Sequence, residues 1–428
     1  MNREPAVDVL VLGAGPAGAV AAALSRQRGL SVRVLEKTRF PRFSIGESLL
    51  PQSLVLLEEA GMLEAVERGG FQFKDGAQIC RGERKVDFEF SMKTCVGHPY
   101  AYEVTRADFD HILIREAERQ GAEVRFEEEI VAAEFGVGGA TITSRSVAGE
   151  EASHSARFVF DASGFGRILP RLLKLDRPAD FPVRASLFMH VEDRMQDEDY
   201  RAVGYDRKKI RVTVHPEHED VWYWLIPFSQ GRASIGVVAE DAFLQRRSGD
   251  VTARLQGLIA EEPGMRRLLR NAVPLWPQAR EIRAYASAVS AMHGENFALL
   301  GNAGKFLDPV FSSGVTIAMK SASLAAPLAH RQLQGEKVDW EAEFSAPLML
   351  GVDTFQGYVE TWYEGALQTV MFSERRPPRI YEQMCSVLAG YAWDTANPFV
   401  GRAGRRLRTL AKSLRAQEMG GPSAAPVH

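Results

Sequence analysis

Val7-Asp8-Val9-Leu10-Val11-Leu12 runs directly into Gly13-Ala14-Gly15-Pro16-Ala17-Gly18 and then into Ala19-Val20-Ala21-Ala22-Ala23-Leu24-Ser25-Arg26. The first six residues form a short, apolar, valine-rich run that predicts a strand buried on both faces. The last eight predict a helix that is small on the side pressed against a sheet. Gly29 stops that helix, and Ser31-Val32-Arg33-Val34-Leu35-Glu36 predicts a second strand ending on an acid. Gly13 permits the tight turn, Gly15 lets a pyrophosphate approach the backbone, and Gly18 allows close helix-to-strand packing. Glu36 stands about 20 residues downstream, where an acid accepts hydrogen bonds from a ribose. Strand, turn, helix, second strand and terminal acid agree on a Rossmann-like parallel α/β sheet that binds a dinucleotide, and they do not distinguish NAD from FAD. Gly136-Val137-Gly138-Gly139 lacks the third spaced glycine and a following helix, so one dinucleotide is expected and electrons arrive from elsewhere.

The 428 residues exceed one simple core and predict two domains with a terminal extension. With 45% hydrophobic and 25% charged residues and a net charge of −3, the composition is that of an ordinary globular protein. It gives no global electrostatic case for nucleic acid or an acidic membrane. Three cysteines, Cys80, Cys95 and Cys385, have no metal-ligand spacing and no even count, which argues against a disulfide framework. The opening residues lead into Gly13 without a cleavage site, and no run reaches the roughly 18 apolar residues that span a bilayer. The expected location is the cytoplasm.

Between residues 183 and 290 the pattern changes to alternating strands: Ala185-Ser186-Leu187-Phe188-Met189-His190-Val191, Ile210-Arg211-Val212-Thr213-Val214 and Ser234-Ile235-Gly236-Val237-Val238. They predict an antiparallel sheet with one face over a substrate cavity. In Val221-Trp222-Tyr223-Trp224-Leu225-Ile226-Pro227, period two turns Trp222 and Trp224 to one face and Tyr223 to the other. From about Ser321 onward the chain reads helical. Residues 401–415 form a basic amphipathic segment that is either a solvated helix or a dock for an acidic carrier or a membrane surface. Residues 420–428 are expected to be disordered. The predicted boundaries are an FAD-binding domain at 1–182 with 290–330, a substrate domain at 183–289 and a helical extension at 331–428.

Gly301-Asn302-Ala303-Gly304 precedes Phe306-Leu307-Asp308-Pro309-Val310-Phe311-Ser312-Ser313-Gly314, a glycine-containing turn just before the helix-like run from Val315. Such a turn aims backbone N–H groups at an anion or an electron-rich cofactor edge. With the N-terminal fingerprint, the Trp-x-Trp-x-Ile-Pro strand and Gly70-Phe71-Gln72-Phe73-Lys74-Asp75-Gly76, it resembles the flavin-dependent halogenases. The resemblance covers about the first 330 residues and implies an aromatic-hydroxylase-type fold holding FAD. It places cofactor contacts at Gly13, Gly15, Ala17, Gly18, Glu36, Lys37, Ser48, Arg106, Gly301, Asn302, Pro309, Gly314 and Val315. Thr105-Arg106-Ala107-Asp108-Phe109-Asp110 and Phe158-Val159-Phe160-Asp161-Ala162-Ser163-Gly164 read as two more flavoprotein segments. Asn302 departs from the family's usual aspartate, keeping hydrogen bonding without the charge.

The resemblance also implies the chemistry. FADH2 from a separate flavin reductase, O2 and halide give hypohalous acid, with halide near the amides of Ser313 and Gly314. Lys74 then guides halogen to an electron-rich ring, by hydrogen bonding or as a chloramine, which needs the neutral amine that burial favours. Trp222 and Trp224 would act as a wall, since indole supplies no acid or base. Phe311 stands where tryptophan halogenases carry glutamate, which turns the expectation to a phenol, a pyrrole or an aromatic acyl group tethered to a carrier protein. Should a phenol need a base, His98, His111 and His293 are only names. Residue by residue, blander roles compete. Lys74 beside Asp75 and Gly76 reads as a solvated turn residue, the tryptophans as core, and Arg106 and Asp161 as an ion pair or cap. The competing functions are a flavin monooxygenase, a prenyl-chain reductase and a non-catalytic FAD-binding partner.

Overall fold

In the computed structural model of the protein, the apolar run at residue 7 belongs to a longer strand, Asn2–Leu12, inside a parallel sheet. Residues 2–178, 182–283 and 287–419 are described; the tail 420–428, expected to be disordered, lies outside them. The chain divides into two units: 1–72 with 101–181 and 285–349, and 73–100 with 182–284 and 350–428.

The first unit is the Rossmann-like one. Its sheet runs His293–Gly294, Phe297–Leu299, Glu151–Asp161, Asn2–Leu12, Val32–Glu36, Glu123–Phe126, and the last five strands are mutually parallel. Leu12 pairs with Asp161 on one side and Leu35 on the other, so three strand ends align where Gly13 begins the turn. Val9 to Leu12 are wholly buried, as a strand covered on both faces requires. The helix Pro16–Gln27 starts on proline, whose missing N–H costs nothing there, and packs its alanines against the sheet and against the helix Ser313–Leu333. Gly136 and Gly139 close the hairpin between Glu128–Gly136 and Gly139–Ser146, which accounts for that glycine cluster without a second nucleotide.

The second unit is built on a sheet ordered Val273–Pro274, Arg184–Glu192, Arg232–Glu240, Trp222–Phe228, Lys209–Val214, Gly76–Arg81, Arg84–Glu89. Neighbours are antiparallel except Gly76–Arg81, which runs parallel to Lys209–Val214. On one face Tyr223, Leu187, Leu225 and Val237 form a core with Leu255 and Leu258 of the helix Val251–Glu261. On the other face Trp224, Gly236 and Phe188 follow one another across three strands.

Two expected boundaries differ from these units. Residues 73–100 join the second unit, because Gly76–Arg81 hydrogen-bonds to Lys209–Val214 and Gly76 lets its backbone close on Phe88: an added Cβ would lie 2.1 Å from the Phe88 carbonyl oxygen. The helical C-terminus is no separate extension either, since residues 350–419 bury Tyr358, Trp362 and Leu367 within that same unit. The middle of the chain also holds helices, Asp197–Val203, Val251–Glu261 and Pro263–Leu268 among them, where only strands were expected. The basic segment forms the helix Ala403–Met419, which buries Leu407, Ala411 and Leu414 and pairs exposed Arg408 with Glu360 at 3.1 Å and Glu364 at 2.6 Å.

Candidate active site

The first unit carries a cradle. Gly13 has φ +101° and an added Cβ there would lie 2.7 Å from the Ala162 carbonyl oxygen; one on Gly18 would lie 1.9 Å from that of Gly13. At Gly15 the nearest heavy atom to such a Cβ is Arg42 Nη2 at 3.7 Å, so this glycine leaves room where the other two fill a turn. No side chain caps the helix that starts at Pro16. Its first N–H groups therefore remain available to an anion. Glu36 accepts from the Ala14 N–H at 2.9 Å and from the Thr38 N–H and hydroxyl at 2.9 and 2.7 Å. A carboxylate offers about four acceptor sites, which leaves one for a ribose hydroxyl.

Arg106 donates to both oxygens of the fully buried Asp110, at 2.7 and 2.9 Å, and to the carbonyl oxygens of Ile45 and Gly46. The ion-pair role is thus real, and it also pins the 45–46 backbone. A Cβ on Gly46 would meet Arg106 Nη1 at 3.0 Å and Val315 at 3.7 Å, so Arg106, Val315 and this loop are neighbours. Asp161 acts as a cap, accepting from the N–H of Ser163 at 3.0 Å and of Leu169 at 2.7 Å, while complete burial pushes its carboxyl pKa up. Ser48 is buried and bridges to Glu103. Gly301 has φ +54° and presses on Ala318, with Ala17 next nearest, and Asn302 is half-buried beside it. Lys37 turns away from these residues: its side chain is 66% exposed and donates to Glu129 at 2.6 Å.

A later helix of this unit starts at Ser313, two residues before the expected run, because Ser312 takes the left-handed conformation at φ +55° and turns the chain sharply into the helix. Pro309–Phe311 makes a single 3-10 turn ahead of it, held by Asp308 accepting from the Val310 N–H at 3.0 Å. No side chain caps Ser313–Leu333. Ser313 and Phe311 are buried, and a Cβ on Gly314 would meet the Phe306 ring at 3.3 Å.

The second unit carries the other candidates. Lys74 ends the short strand Gln72–Lys74 and is 1% exposed, with its ammonium 5.2 Å from the Phe90 ring centroid, so the solvated-turn role is excluded. The rings of Trp222 and Trp224 share a face with centroids 6.0 Å apart. Trp222 Nε1 donates to the Tyr363 hydroxyl at 3.0 Å, and Trp224 Nε1 to Ser234 Oγ at 3.1 Å. Gly236 makes room for Trp224, since a Cβ there would come within 2.3 Å of the indole. Tyr223, opposite, donates to the Leu258 carbonyl at 2.9 Å, and burial pushes its phenol far up.

Arg42, Phe90 and Tyr363 escape a reading of the sequence. Tyr363 meets Trp222 across 141 residues, and none of the three stands in a spaced motif. His98 meets the Tyr100 ring edge-on with centroids 5.6 Å apart, and His293 lies 3.6 Å from Glu341. Burial pushes the thiol of Cys80 up to about 11 and that of Cys385 to about 12, which suits apolar filler. Among the described residues no cluster could hold a metal ion, and no helix is long and apolar enough to cross a membrane.

Comparison with known proteins agrees with this geometry. The family described as FAD binding domain matches residues 6–338. A tryptophan 2-halogenase of Chondromyces crocatus is 31% identical over 345 residues, 78% of this chain and 63% of its own length. The 1H-pyrrole-2-carbonyl peptidyl-carrier-protein brominase of Pseudoalteromonas luteoviolacea is 28% identical over 81% of this chain and 82% of its own. A crystal structure of a flavoprotein/dehydrogenase from Cytophaga hutchinsonii superposes with a TM-score of 0.92 at 42% identity, covering 97% of this chain and 100% of that one. The open Gly15, the remaining acceptor on Glu36 and the uncapped helix ends fit the FAD that this family holds. The chain belongs to the FAD-binding domain family.

Proposed function

We propose that this protein halogenates an electron-rich aromatic ring with FADH2 delivered by a separate flavin reductase, and that Lys74 presents the halogen. The observation that carries this reading is the burial of Lys74, at 1% exposure over the Phe90 ring, in the unit that also bears Trp222 and Trp224. When bound, reduced FAD supplies two of the four electrons that turn O2, halide and a proton into hypohalous acid and water, and halide supplies the other two.

Gly13, Gly15, Ala17 and Gly18 receive the pyrophosphate and Glu36 the ribose. Arg106, through the 45–46 backbone, orders the approach to Ser48. Gly301, Asn302, Pro309, Gly314 and Val315 complete the contacts, and Lys37 joins them only by leaving its pair with Glu129. Halide rests on the backbone N–H groups of Ser313 and Gly314, where the helix N-terminus favours an anion. Lys74 donates a hydrogen bond to the hypohalous oxygen and so orients the halogen. Transfer to a ring carbon then releases the ring proton, which leaves with hydroxide as water. Trp222 and Trp224 act by volume, excluding direct oxygen transfer, and enclosure limits hydrolytic loss of the oxidant.

The substrate is a phenol, a pyrrole or a carrier-tethered acyl aromatic. Phe311, 6% exposed, offers no carboxylate to assist a less activated ring, and the brominase relative is named for a carrier-bound pyrrole. The test is a panel of free phenols, free pyrroles, tryptophan and pyrrolyl-carrier thioester, read by mass spectrometry. Products from the activated rings and none from tryptophan are expected; a halotryptophan overturns the substrate assignment. One observation favours a second reading. The 42% identical neighbour is named a flavoprotein/dehydrogenase. A flavin monooxygenase, a prenyl-chain reductase or a non-catalytic FAD-binding partner would show no dependence on halide.

A further inference from the structure

We infer that Lys209 is a positioning residue for Lys74, clamping together the two segments that carry Lys74 and the Phe90 ring beneath it. The inference rests on the role proposed for Lys74.

Lys209 is 4% exposed in the strand Lys209–Val214, and its ammonium lies 2.9 Å from Asp75 Oδ1, 3.1 Å from Glu89 Oε1 and 3.3 Å from Asp206 Oδ2. Asp75 follows Lys74 and Glu89 precedes Phe90, so a single ammonium joins the immediate neighbours of the lysine and of its aromatic shelf. The main chain repeats the connection. The Asp75 N–H donates to the Lys208 carbonyl at 2.9 Å, and the Phe90 N–H donates to the Asp75 carbonyl at 2.8 Å. The Lys209 stem lies along Gly76, where an added Cβ would be 3.3 Å from Cε. Burial alone would lower the Lys209 pKa, but the hydrogen bonds to Asp75 and Glu89 outweigh it and hold the group above its ordinary value, so it stays a cation. A lysine kept charged between these two segments fixes where the strand Gln72–Lys74 ends, and with it the reach of the Lys74 amine. Charge is essential to this, because an apolar residue of equal length would leave the carboxylates to repel.

The experiment separates oxidant formation from its use. Purified holoenzyme variants are supplied with reduced FAD, O2 and bromide. Hypobromous acid that escapes is captured by a soluble nucleophile, and bromination of the aromatic substrate is read by mass spectrometry. Lys209→Met is expected to melt cooperatively, keep its flavin and form oxidant within about twofold of the wild type, while substrate bromination falls about a hundredfold. Lys209→Arg, which keeps the charge, recovers most of that loss. A folded Lys209→Met that brominates like the wild type overturns the inference, and so does a parallel fall of oxidant and product, which marks a purely structural ion cluster. If Lys209→Met fails to fold, Asp75→Asn, which keeps the volume and the main-chain bonds, must give the same split or the inference fails. Lys74→Ala runs alongside: bromination retained there overturns the role of Lys74 itself, a result distinct from any in Lys209→Met.

Discussion

Gly15 and Gly18 sit three residues apart in one turn and respond differently to a methyl group. A Cβ on Gly18 would lie 1.9 Å from the Gly13 carbonyl oxygen, so Gly18→Ala displaces the turn and costs about 1–3 kcal/mol of stability, read by thermal melting with and without flavin. At Gly15 the Cβ meets only Arg42 at 3.7 Å, and the backbone at φ −69° suits any residue. Gly15→Ala is therefore expected to melt like the wild type while its flavin affinity, followed by fluorescence titration, falls about tenfold or more. Equal flavin affinity would show that no pyrophosphate approaches there. Lys74→Ala is expected to keep flavin and oxidant formation and to lose aromatic product by about 10²–10³-fold, the effect of removing one positioned donor, with product quantified by mass spectrometry. The fingerprint glycines and Glu36 are legible in sequence because they stand at the fixed spacing of a strand–turn–helix–strand unit. Lys74 is not, since Asp75 and Gly76 look like a turn while the side chain is 1% exposed over the Phe90 ring.

The strand Glu151–Asp161 places His154, wholly buried, between Arg33 and Ser144. Arg33 Nη1 lies 3.4 Å from Nδ1 and Ser144 Oγ 2.8 Å from Nε2, and Ser144 in turn donates to Glu128 at 2.5 Å. Arginine can only donate, so Nδ1 accepts and the ring is neutral with its proton on Nε2. Burial first, then Arg33 and Arg125, hold the His154 pKa below its ordinary value. The native state thus refuses a proton that the unfolded chain takes up near pH 6.5. The resulting stability is complete above that pH and is lost as pH falls toward the native value, at up to about 1.4 kcal/mol per pH unit. Urea unfolding at pH 7 and pH 5 is expected to show a smaller acid loss in His154→Gln than in the wild type; an unchanged loss contradicts this. Element identity was largely legible: the strand Trp222–Phe228 and its alternation follow from period two. The early start of Ser313–Leu333 was not, because a serine in the left-handed region carries no mark in the sequence.

Across the whole molecule, the parallel sheet of the first unit was legible from one glycine turn, whereas the extent of the second was not. Its strand Gly76–Arg81 pairs with Lys209–Val214 more than a hundred residues later, and Tyr358, Trp362, Leu367 and Val370, toward the end of the chain, are buried in the same unit. Local periodicity finds such elements and says nothing about where they dock. A chain ending at residue 349 is accordingly expected to lose the Tyr363 hydroxyl that Trp222 meets and to expose that core, giving aggregation and no cooperative melt of the second unit by circular dichroism. A soluble truncated protein with full product formation would contradict this. The central claim is halide-dependent turnover, and it is tested most directly by giving the purified protein FAD, NADH, a flavin reductase, O2, an electron-rich aromatic and increasing bromide, then reading the product mass. A bromine isotope doublet that requires both protein and bromide and disappears in Lys74→Ala is expected. An oxygenated or dehydrogenated product formed equally without bromide would contradict it.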